Sequence, residues 1–201
     1  MQTTHLLALG RSRKRPMRTE DMAKQALPTG DLGRMPVDGL TPAHHACMCP
    51  GHKGAQLLAH LIQGGAPLGE RDACGRTPAH YAALQGRASA IEALARVRAP
   101  LGERDTRGRT PAHLAALHGR AATLEELART GAPLGERDVS GCTPAHLAAS
   151  AGCAQALEAL AASGVALGER DGYGCTPAHQ RHPSPPCRPS SPPRSTRAHT
   201  H

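Results

Sequence analysis

The side chains in this 201-residue chain best suited to chemistry are its thirteen histidines and seven cysteines. They are densest at His44-His45-Ala46-Cys47-Met48-Cys49-Pro50-Gly51-His52, where five metal-ligating groups fall within nine residues. Imidazole and thiolate suit zinc, but structural zinc sites draw on paired ligands at set spacings, and this run matches none of them. We therefore expect no metal and no other cofactor. The cysteines, at 47, 49, 74, 142, 153, 175 and 187, are odd in number and lack framework spacing, so they read as reduced thiols. No Ser/His/Asp set, glycine-rich phosphate loop or pair of carboxylates stands out, and the chain reads as non-catalytic.

Five of the histidines belong to one pattern. His44, His80, His113, His146 and His179 each close a Thr-Pro-Ala-His that begins at Thr41, Thr77, Thr110, Thr143 and Thr176, so the last three intervals are identical and the first is slightly longer. A second marker, Leu-Gly-Glu-Arg-Asp, ends at Asp72, Asp105, Asp138 and Asp171, and it keeps that same interval every time. Two landmarks in one register mean that a single supersecondary unit is copied and stacked. A histidine needed at five equivalent places is scaffold. In the third copy Thr110 is placed to cap a helix, Pro111 sits at its first position and Gly119 stops it. A second helix follows over Arg120 to Thr130, with Leu124 and Leu127 on one face. Ala132 to Gly141 is rich in turn formers and predicts an extended loop or β-hairpin.

The run Asp105-Thr-Arg-Gly108-Arg-Thr110-Pro-Ala-His113-Leu-Ala115-Ala116-Leu-His-Gly119 resembles the ankyrin repeat. The resemblance extends from about Gly39 to His179, in four full copies starting near 39, 75, 108 and 141 and a truncated fifth near 174. It implies an all-α repeat solenoid of stacked helix-turn-helix units joined by β-hairpin loops. It also implies that the motif histidine bonds the motif threonine or a neighbouring loop. Departures from the family pattern point to a thin core: Ala43, Ala79, Ala112, Ala145 and Ala178 replace a leucine, and Ala93, Glu126 and Ala159 stand where leucine is usual. Gly69, Gly102, Gly135 and Gly168 replace an asparagine before the loop. At about 25 cal/mol per Å² of apolar surface, so little bulk predicts marginal stability.

Charge divides the chain into three parts. Residues 1–36 carry seven Lys/Arg and three Asp/Glu, residues 37–180 carry thirteen of each, and residues 181–201 carry four Arg and no acid. The net charge of +8 lies in the flanks, and a neutral body weakens a nucleic-acid reading of the basic pI. Residues 1–36 are expected to be a basic, disordered leader, 37–180 the repeat array and 181–201 a disordered Pro/Ser/Arg-rich tail. Arg11 to Arg18 suits nuclear import or nucleic-acid contact, with a mitochondrial transit peptide and a plain solvated leader as alternatives. The tail's Pro183, Pro186, Pro189 and Pro192 keep a Pro-x-x-Pro spacing that suits an SH3-type groove, against the reading of an inert tail. No apolar run of about 18 residues occurs, so no membrane span is expected, and location is expected to be cytoplasmic or nuclear.

Two irregularities stand out. The first copy has three extra residues, which alignment places in the loop near Met48 to Lys53. In the fifth copy, Gln180-Arg181-His182-Pro183 replaces the expected Leu-Ala-Ala, so its helices are not expected to form, as in a truncated or alternatively read terminus.

Function in such an array lies where the copies differ. The resemblance implies that loop tips and first helices line one concave protein-binding face. The varying residues there give a candidate partner-binding set of Arg76, Tyr81, Arg107, Arg109, Leu114, His118 and Tyr173. The arginines point to a protein partner with an acidic segment. A non-catalytic interaction scaffold is the leading reading; a nuclear or nucleic-acid-associated regulator using the basic leader is the alternative.

Overall fold

Every copy starts its first helix with the same local device. Threonine takes the N-cap with extended backbone (Thr110 φ −88, ψ 168), and proline follows where its missing N–H costs no hydrogen bond. Histidine at the third helical position reaches back to the threonine backbone N–H, the place Glu or Gln holds in an ordinary capping box. The computed structural model describes residues 39–181, and residues 1–38 and 182–201, with the leader and tail expectations, lie outside them.

The first helices are α1 (Pro42–Met48), α3 (Pro78–Gln85), α5 (Pro111–Leu117) and α7 (Pro144–Ser150). The second helices are α2 (His52–Gln63), α4 (Ala88–Arg96), α6 (Ala121–Arg129) and α8 (Ala154–Ala162). First helices pack on first helices and second on second, so the array is two rows of helices, an all-α repeat solenoid. The thin core is explained by how the rows share the bulk. The largest fully buried apolar side chains, Leu58, Ile91, Leu94, Leu124, Leu127 and Leu160, come from second helices, whereas first helices bury mainly alanines and the motif histidines, with Cys47, Leu114 and Leu147 beside them.

Three expectations need correction. The connecting loop is a compact turn, and among the described residues none is in a strand, because the turns meet through isolated backbone hydrogen bonds instead of a ladder. The three extra residues of the first copy lengthen a helix: α2 has twelve residues where α4, α6 and α8 have nine. Gly54 permits this, since a Cβ there would fall 2.6 Å from the Cys49 carbonyl and 2.7 Å from that of Ala46. The fifth copy does form part of a first helix, one 3-10 stretch at Pro177–Arg181 packed on α7, because Thr176 and His179 keep the capping contact at 2.8 Å.

The thiols also depart from expectation at one place. Cys47, Cys49, Cys74, Cys142 and Cys153 are free, whereas Cys175 is disulfide-bonded.

Candidate partner-binding surface

The surface is built from four equivalent turns. In the third copy, Asp105 Oδ1 accepts the backbone N–H groups of Arg107 at 2.8 Å and Arg109 at 2.9 Å. The Asp105 N–H donates to the Arg109 carbonyl at 2.8 Å, closing a loop that pushes Thr106 and Arg107 outward as the tip. Asp72, Asp138 and Asp171 do the same in their copies. One backbone bond then joins each tip to the next: Thr106 N–H to Cys74 O at 3.0 Å, Val139 N–H to Arg107 O at 3.1 Å, and Gly172 N–H to Ser140 O at 3.1 Å.

The motif histidines hold these turns to the helices. His113 Nδ1 accepts from the Thr110 N–H at 3.1 Å, and its Nε2 faces the Cys142 carbonyl at 3.1 Å in the next copy. A carbonyl only accepts, so the proton sits on Nε2. His44, His80 and His146 repeat the arrangement with the carbonyls of Arg76, Arg109 and Cys175. Both implied bonds, to the threonine and to the neighbouring loop, are therefore present. Burial holds His44, His80 and His113 below the usual imidazole range, which keeps them neutral. Within the dense His/Cys run, His44 thus has both nitrogens engaged, and burial pushes the Cys47 thiol up to about 12.

Two of the three predicted arginines face inward to their neighbours. Arg76 Nε lies 3.9 Å from Asp105 Oδ2 and Arg109 Nε 3.8 Å from Asp138 Oδ2, each carboxylate being buried in the following copy. Cys142 holds the same position and its Sγ is 4.0 Å from Asp171 Oδ2; burial first, then Asp138, pushes its thiol up to about 11. Tyr81 is half-buried and donates its hydroxyl to Asp72 Oδ2 at 2.6 Å. Its ring meets His44 edge-on at 5.5 Å, and the Arg76 guanidinium stands 5.9 Å from the ring centre. Burial, with the Asp72 carboxylate second, raises its hydroxyl to about 12. Arg76, Arg109 and Tyr81 therefore brace the turns.

Leu114 occupies the position of Tyr81 but is 2% exposed, so it is part of the packing and offers a partner no surface. Arg107 and Tyr173 are exposed at tips, Tyr173 by 59%. His118 is exposed too, but it follows the last residue of α5, roughly 10 Å along the helix from the turn that precedes it. The tip bonds bring Arg107, Val139, Ser140 and Gly172-Tyr173 into one strip. Val139, 75% exposed, was not among the predicted residues, although a bulky apolar side chain at a tip that elsewhere holds Ala73, Thr106 or Gly172 was a readable signal.

Along the same loops runs an ionic ladder. Arg71 pairs with Glu103, Arg104 with Glu136 and Arg137 with Glu169, the last at 2.8 Å, and each arginine also donates to the backbone carbonyl of the next arginine.

Threonine cap, proline, buried histidine, paired helices and stacked turns recur through the four full copies from Thr41 onward. A family model described as "Ankyrin repeats (3 copies)" matches residues 52–138. Residues 52–138 are ankyrin repeats. Such repeats are generally protein–protein interaction modules and typically non-catalytic. A search of the curated proteins gives no match to the sequence. Among the described residues no helix is long and apolar enough to cross a membrane. The nucleic-acid alternative rests on residues 11–18, which lie outside the described residues.

Proposed function

We propose that this ankyrin repeat protein is a non-catalytic scaffold that grips a protein partner along its turn tips, in the cytoplasm or nucleus. The observation that carries the reading is the exposed strip of Arg107, Val139, Ser140 and Tyr173. Buried aspartates tie down the backbone of these turns, so the tips keep one backbone conformation before a partner arrives, which lowers the entropy lost on binding. Arg107 has no carboxylate partner among the described residues, unlike Arg76 and Arg109, and selects an acidic group. Tyr173 and Arg107 are of the residue types enriched at interface hot spots, and Val139 adds exposed apolar surface beside them. Arg76, Tyr81 and Arg109 support the strip from behind.

The test is affinity capture from cell extract with the full chain, followed by the double variant Arg107→Glu, Tyr173→Ala. Partners that bind through the tips are expected to lose at least tenfold in affinity with the melting temperature unchanged. Capture of the same partners at undiminished affinity would overturn the assignment. Arg109→Glu is unsuitable, because it sets a carboxylate against buried Asp138.

A further inference from the structure

Among the described residues, the outer face of α8 lacks the neighbour that every other second helix has. Leu157 is half-buried, whereas its equivalents Leu58, Ile91 and Leu124 are 0–1% exposed. Ala154 and Ala161 are exposed where Ala121 and Ala128 are partly covered, and Ala178 is exposed where Ala79, Ala112 and Ala145 are buried. Between these residues runs an apolar groove of about 350 Å³, walled also by Leu167 and Pro177. Pro177–Arg181 already fills the place of a first helix beside α7, so the position left open is that of a second helix. The sequence that follows, His182-Pro183-Ser184-Pro185-Pro186, is unfit to fill it, since interior prolines remove helix hydrogen bonds and clash with the preceding turn.

We propose that this groove is a docking site for an amphipathic α-helix supplied by another protein. The proposal rests on the reading of the array as an interaction module but uses a different surface from the turn tips. The internal junctions specify the chemistry of that helix. Where α6 lies on α4, buried Thr123 and Leu127 supply the stripe, and Arg129 reaches across to Glu92 at 3.6 Å. Seven residues further on, Glu136 pairs with Arg104 of the copy before. At the groove the matching charges are Glu158, on its rim, and Arg170, which donates to Gly174 O at 2.9 Å. Among the described residues no following copy offers Arg170 a glutamate. The incoming segment therefore carries a stripe of small and leucine side chains, a basic residue in its last turn for Glu158 and an acidic residue about two turns' length beyond for Arg170. A second copy of the chain fits less well. Its α2 carries Gln63 where the arginine is needed, and its α1 would compete with Pro177–Arg181.

The probe is a synthetic peptide with the sequence of residues 119–138, cross-linked between positions 121 and 125 to hold it helical, titrated into the full chain by fluorescence anisotropy. Saturable binding is expected, weakened at least tenfold by Leu157→Arg and by Ala161→Arg; the latter lies at an exposed position and keeps the test valid if the former unfolds. A peptide carrying Arg129→Glu should bind weakly to the natural chain and regain affinity for the Glu158→Arg variant. Absence of saturable binding, or equal binding by the groove variants, overturns the proposal. So does a tenfold gain on deleting residues 182–201, which would put the tail in the groove, or self-association abolished by Ala161→Arg, which would put a second copy there. The Arg107→Glu, Tyr173→Ala variant should bind the peptide normally, so loss of the tip assignment and loss of this one are separable.

Discussion

The motif histidine is a polar group placed in a core too small to hide a charge. His44, His80, His113 and His146 are fully buried and bonded on both ring nitrogens, and protonation would set a second N–H against a donor. Burial lowers the folded-state value of His44, His80 and His113 below the ordinary 6.5, so the unfolded chain takes up protons first as pH falls. Stability is then complete above about 6.5 and is lost below it, by up to about 1.4 kcal/mol per pH unit for each histidine that stays neutral. Urea midpoints should fall steadily from pH 7 to pH 5, and a flat profile would refute the neutral assignment. Backbone strain is found at Arg98, at φ 57, where the other copies have Gly65, Gly131 and Gly164. A side chain in the left-handed region costs roughly 1–2 kcal/mol, part of which glycine returns as unfolded-state entropy. Arg98→Gly should therefore stabilise the array by about 0.5–1 kcal/mol, visible as a higher urea midpoint with an unchanged slope.

At the scale of the element, the loop after each second helix depends on a proline that one copy lacks. Pro100 packs on Gly69 and Pro133 on Gly102, where an added Cβ would come within 3.1 and 2.9 Å of the ring. Ala166 takes the next place, nothing stands within 4 Å of a Cβ on Gly135, and a depression of about 400 Å³ opens between the third and fourth copies. Backbone hydrogen bonds outside the helices do not engage the Ala166 N–H. Ala166→Pro should raise stability by about 0.4–1 kcal/mol by restricting the unfolded chain, and should close the depression. An unchanged or lower melting temperature would show that this loop departs from the backbone of its equivalents. The ionic ladder on the same loops adds less, since its side chains are 39–48% exposed and such pairs contribute little singly. Its value lies in register: one rung per copy aligns adjacent turns.

Over the whole molecule, stability is a sum of copies and junctions, so what matters is which junctions are complete. The internal ones bury Ile91, Leu94, Leu124 and Leu127 completely, and the last leaves Leu157 half-covered. The repeat, the two helices per copy and the histidine's scaffold role were all legible in the sequence. Each depends on contacts at short range or at the fixed offset of one repeat, and a period makes such offsets visible. Which of the candidate partner-binding residues are exposed was only half legible. Arg107 and Tyr173 remain exposed, but Arg76 and Arg109 turned out to face Asp105 and Asp138 of the next copy, and Leu114 vanished into the packing. Variation between copies marks positions released from the common pattern without saying which way their side chains point. By itself the sequence determined the repeating unit and the caps that start its helices, because these are dictated by local residue types and periodicity. Only the tertiary structure decided which arginines are paired, that the loop is a turn instead of a hairpin, and that α8 ends in an open groove. Those outcomes depend on distances between neighbouring copies, and a constant repeat length fixes that two copies touch without fixing which side chains meet between them.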